Sequence, residues 1–71
     1  MGRNYLDRRG RRLFVRTGIG CPKVFFTGEV VARDRSRRYK SAAVPIRPTE
    51  AQAQADLDAL AARNGWREVL P

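Results

Sequence analysis

The sequence predicts an α+β fold: a three-stranded antiparallel β-meander packed against one C-terminal α-helix, preceded by a flexible basic N-terminal arm. Three observations predict it. Apolar and polar residues alternate with period two over residues 11–17, 23–33 and 39–47. Residues 51–63 are almost all good helix formers, bracketed by helix-capping residues. The connections between the strands are short and rich in turn formers, so neighbouring strands run antiparallel.

The elements follow in order. Residues 1–10 hold Arg3, Arg8 and Arg9 with only Tyr5 and Leu6 as anchors, and read as a flexible arm ahead of a single small domain at 11–71. In the first strand, Leu13, Val15 and Thr17 share one face, and Arg12, Phe14 and Arg16 the other. Gly18-Ile19-Gly20-Cys21-Pro22 punctuates the chain as a loop. The second strand places Val24, Phe26, Gly28, Val30 and Ala32 on one side and Phe25, Thr27, Glu29, Val31 and Arg33 on the other, with a bulge or bend expected at Gly28. Asp34-Arg35-Ser36-Arg37-Arg38 reads as a hairpin loop. The third strand, 39–47, contains Pro45, which lacks a backbone donor and marks an edge or an end. The helix has Thr49 as N-cap, Gln52 completing a capping-box pattern, and Glu50 favouring the dipole. It ends at Gly65, with Trp66 placed to pack back on Ala61, and its inward stripe is Ala53, Leu57, Leu60 and Ala61. Residues 66–70 add a short extended piece or a tail over the core edge.

Seventy-one residues allow one thin apolar layer between sheet and helix and no deep active-site cleft. The single cysteine excludes an internal disulfide, and no apolar run is long enough for a secretory leader or a membrane span. Leu6 stands where a myristoylation signal needs Ser or Thr. These features fit a cytoplasmic protein of bacterial, phage or mobile-element type. Catalysis is not expected: there is no histidine, Cys21 has no base or metal partner, and Asp56 and Asp58 fall on different helix faces. Gly18-Ile19-Gly20 lacks both the Lys-Ser/Thr pair and the following helix of a phosphate-binding loop. No cofactor or metal is expected.

Charge is the informative property. Thirteen of the fifteen cationic side chains lie in residues 1–47 against three acids, whereas residues 48–71 hold two cations and four acids. The basic charge belongs to the β region, and a polyanion is its natural partner. Arg33, Arg35, Arg37, Arg38 and Lys40 cluster around the hairpin with Tyr39 between them, and Arg12 and Arg16 lie on the first strand. Guanidinium forks suit phosphates, and a tyrosine stacks on an unpaired base. The expectation is a non-catalytic nucleic-acid-binding domain, for DNA or RNA, using these eight residues. Three strands and a helix with a basic sheet face resemble, in element order over residues 11–64, the arm-type DNA-binding domains of tyrosine recombinases and certain plant DNA-binding domains. The alternative is a protein-interaction module or homodimer. One helix covers one face of a sheet, and Phe14, Phe25 and Val31 fall on the strand faces opposite to Leu13, Phe26 and Val30.

Overall fold

A computed structural model describes residues 2–18 and 23–69. The loop assigned to residues 18–22, with Cys21, therefore falls largely outside the described residues, as does Leu70. The chain forms β1 (Asn4–Leu6), β2 (Arg12–Thr17), β3 (Phe25–Ala32), β4 (Arg35–Arg38), α1 (Glu50–Asn64) and β5 (Arg67–Val69). The sheet has five strands, not three, in the order β4-β3-β2-β1-β5, and every neighbouring pair is antiparallel.

The two extra strands lie where the sequence suggested a flexible arm and, at residues 66–70, a short extended piece or a tail. Residues 4–6 pair with β2 on one side and β5 on the other, so the expected arm supplies an interior strand. Asp7 explains the connection to β2. Its carboxylate accepts from the backbone N–H groups of Arg9 (2.9 Å) and Arg11 (2.8 Å), and Gly10 takes φ 80° at the end of the turn. An Asp opening a turn and a left-handed Gly closing it are standard turn chemistry. The helix also clasps this segment. The Gln54 side-chain amide exchanges hydrogen bonds with the Arg3 backbone in both directions, each 3.2 Å long.

The β3–β4 hairpin also departs from expectation. The expected hairpin loop 34–38 is a strand from Arg35, and the turn is the pair Arg33-Asp34. No described non-glycine residue has positive φ, so this turn has the ordinary hand, which splays paired strands. The register shift between Val30 and Ala32 accommodates it. The bulge thus sits beside Val31 and not at Gly28.

Residues 39–47 do not form a third strand. Tyr39 N–H makes a last rung to the Thr27 carbonyl (2.9 Å), and the chain then turns at Ser41, whose hydroxyl accepts from Ala43 N–H and whose carbonyl accepts from Val44 N–H. Val44 enters the core, while Ile46 remains 47% exposed. Arg47 returns to pair with Phe25 through two 2.8 Å backbone hydrogen bonds. Alternation in this stretch reflected one plunging residue and not a pleat.

The helix matches its sequence signature. Thr49 Oγ1 accepts from Gln52 N–H at 3.2 Å, although the Gln52 side chain bonds the Thr49 hydroxyl instead of closing a full capping box. At the other end Trp66 N–H reaches the Ala61 carbonyl (2.9 Å) and Gly65 N–H the Ala62 carbonyl, with Gly65 at φ 69°. Ala53, Leu57, Leu60 and Ala61 are the buried stripe, as the spacing predicts. They close on Tyr5, Leu13 and Val44, with Val15, Tyr39, Ala43 and Trp66 around the margin. Carboxylates on both flanks fasten α1. Asp56 takes a two-pronged bond from the Arg47 guanidinium (2.7 and 3.2 Å), and Asp58 accepts from the Tyr5 hydroxyl at 2.6 Å.

Candidate nucleic-acid interface

Cross-strand register decides which residues share a face. Tyr5, Leu13, Glu29 and Arg37 lie in one row, as do Val15 and Thr27 in the next, and this is the side that the helix covers. The opposite side contains Phe14, Gly28 and Arg38 in one row, Arg16 and Phe26 in another, and Leu6 beside Arg12 and Arg67. Among the described residues, no helix or further strand covers it. Phe14 and Phe26 therefore share a face, whereas the sequence reading set Phe14 opposite Phe26. The helix packs on Thr27 and Glu29, and β3 turns its more apolar side, Phe26 and Val30, outward.

Burial of Glu29 is possible because two cations meet it. Arg37 Nε lies 2.8 Å from its carboxylate and Arg11 Nη1 3.7 Å away, while the Glu29 side chain is only 8% exposed. On the open side, Arg16 explains Gly28. The Arg16 chain lies across that glycine, so that a Cβ added there would stand 2.8 Å from Arg16 Cδ. Beyond Gly28 its Nη1 donates to Ser36 Oγ at 2.7 Å, and its guanidinium carbon sits 5.7 Å from the Phe26 ring centre. The glycine thus makes room for the Arg16 chain to cross the sheet rather than marking a bend in the strand.

The eight residues singled out in the sequence divide between surfaces. Arg12, Arg16 and Arg38 come together on the open face. Arg37 projects to the helix side, into the ion pair with Glu29. Arg33 and Arg35 flank the exposed hairpin tip, and Lys40 is exposed just beyond β4. Tyr39 packs edge-on against Trp66, with ring centres 6.1 Å apart at 84°, and its ring belongs to the core margin. Arg67 joins the open face without having been singled out. Its signal lay in the short alternation of Arg67-Glu68-Val69, which has meaning only once β5 is paired.

The acids are distributed just as unevenly. Asp7 is engaged by its own turn, Glu29 by Arg11 and Arg37, Asp56 by Arg47, and Asp58 by Tyr5, Gln54 and Arg3. Glu68 pairs with Tyr5 and so points to the helix side. Among the described residues, no carboxylate belongs to the strand rows of the open face. On the helix side, a cleft of about 530 Å³ between Arg8, Arg9, Arg11, Arg37, Arg63 and Trp66 is also basic, but Asp7 and Glu29 line it and the negative end of the helix faces it. A shallower groove of about 450 Å³ on the open side runs between Leu6, Arg12, Val30 and Arg33. Its walls carry cations only at their charged positions.

Burial, reinforced by the Asp58 carboxylate, raises the Tyr5 hydroxyl above its ordinary pKa of 10.0. The described residues contain no cluster of ligating side chains that would hold a metal ion. No described helix is long and apolar enough to cross a membrane. No protein-family model, curated protein or solved structure matches the chain.

Proposed function

We propose that this protein binds nucleic acid without catalysis, contacting phosphates through the open face of its sheet. The observation that carries the reading is the segregation of charge. Arg12, Arg16, Arg38 and Arg67 occupy a face whose strand rows hold no carboxylate, while Asp7, Glu29, Asp56 and Asp58 are bound up in structural contacts elsewhere. Arg33 and Arg35 at the hairpin tip outnumber Asp34 between them and extend the same field beyond the sheet edge. Fixed cations that are not neutralised by neighbours attract a polyanion and release its counterions.

Tyr39 takes no part in this reading, because its ring packs with Trp66 at the core margin. Arg37 contributes little, since Glu29 already offsets its charge. Titration of labelled single-stranded and duplex DNA at a series of salt concentrations tests the proposal. With about four phosphate contacts on a single strand, log affinity should fall with log salt at a slope of about −3. The double variant Arg12→Glu with Arg38→Glu should abolish most of the binding, and Arg8→Glu with Arg63→Glu should weaken it far less. Equal losses from the two pairs would place the interface elsewhere.

A further inference from the structure

We infer that the open face selects single-stranded nucleic acid, by stacking unpaired bases on Phe14 and on the layered pair of Arg16 and Phe26. The inference rests on the nucleic-acid reading above and names the form of the ligand. Phe14 lies opposite Gly28, and Phe26 opposite Arg16, so the two half-buried rings occupy diagonal positions on adjacent strands of one face. Diagonal neighbours stand about 7–8 Å apart, close enough for neighbouring bases of one strand to use both. The Arg16 chain already crosses Gly28 to donate to Ser36, and its guanidinium carbon stands 5.7 Å from the Phe26 ring centre. Bases stack on aromatic rings and on guanidinium planes, and they do so only when unpaired. Arg12 lies one row from Phe14 on the same strand, and Arg38 ends the row that holds Phe14 and Gly28, so both stand beside the path of a sugar-phosphate chain crossing the platform.

Charge excludes the other occupant of an apolar sheet face. A second copy packed face to face would bring Arg12, Arg16, Arg38 and Arg67 of both chains together with no carboxylate between them. Duplex DNA fits the phosphates but offers no base face to the rings, so Phe14 and Phe26 would add nothing to its affinity.

The test is fluorescence anisotropy of the full chain with a labelled oligothymidylate and with a mixed-sequence duplex of equal length, at one moderate salt concentration. The wild type should bind the single strand more tightly. Phe14→Leu and Phe26→Leu should each weaken single-strand binding roughly tenfold and leave duplex binding unchanged, whereas Phe14→Trp should retain it. Thermal unfolding of each variant separates a lost ring from a lost fold, and the Trp replacement keeps the comparison valid if either Leu variant fails to fold. Equal affinity for both probes, or Leu variants that bind normally, would overturn the stacking inference while leaving phosphate binding intact. Absence of binding to either probe, also after the salt is lowered, would overturn both readings. A concentration-dependent dimer in sedimentation, abolished by Phe14→Leu, would give the face to a second copy and overturn the inference as well.

Discussion

The hydroxyl of Thr27 lies in the row beneath the helix, buried, with no hydrogen-bond partner among the described residues. A desolvated, unsatisfied hydroxyl opposes folding, and valine has nearly the same shape without it. Thr27→Val should therefore stabilise the protein by about 1 kcal/mol in urea unfolding. Tyr5 presents the reverse case, a buried hydroxyl donating to Asp58 at 2.6 Å. Because its pKa is raised in the folded state, the folded protein holds this proton more tightly than the unfolded chain does. That contribution is fully present below the ordinary tyrosine value and is lost as pH rises through the raised one. Stability should decline in strongly alkaline solution, and Tyr5→Phe should flatten the decline. At Glu29, removal of one partner by Arg37→Ala should cost about 1–2 kcal/mol, less than for a fully enclosed pair because Arg37 is 63% exposed.

Among the elements, β1 carries the largest consequence. It lies between β2 and β5, contributes Tyr5 to the core and is clasped by Gln54. Deleting residues 2–6 should leave no cooperative thermal transition, whereas a removable arm would leave the transition in place. The helix was legible because its caps and its stripe are local: Thr49, Gly65 and the spacing of Ala53, Leu57, Leu60 and Ala61 need no knowledge of the rest of the chain. Gly65→Ala should cost about 1 kcal/mol, since φ 69° is unfavourable for a residue with Cβ even though nothing crowds the position. Strand identity was less legible. Asp7 and Gly10 carried a turn signal that the surrounding arginines obscured, and a three-residue strand is too short for alternation to reveal. Residues 35–38 are all polar, so β4 offers no periodicity; its pairing with β3 is what makes it a strand. Residues 39–47 alternated by coincidence of one buried valine.

For the whole molecule, the choice of buried face decides which side chains the open face presents. Hydrophobicity alone would turn Phe26 and Val30 towards the helix, yet Leu13 stands opposite Glu29 and Val15 opposite Thr27, so the helix covers the more polar side of β3. Two details outside the strand's own pattern make this arrangement work. Arg11 and Arg37 converge on Glu29, and Gly28 gives Arg16 its path across the open face. Both depend on pairing between distant segments, which is why the sequence identified the basic residues but could not group them. Such breaks with simple patterning are expected where a surface serves a ligand. The resulting molecule keeps Asp7, Glu29, Asp56 and Asp58 in structural contacts and gathers Arg12, Arg16, Arg38 and Arg67 on one side of the sheet. The most direct test of that division is amide chemical-shift mapping of the labelled protein with a single-stranded oligonucleotide at low and moderate salt. The expected result is salt-sensitive shifts centred on Arg12, Phe14, Arg16, Phe26, Gly28 and Arg38. Shifts centred on Arg8, Arg9, Arg63 and Trp66, or none at low salt, would contradict the assignment of the open sheet face.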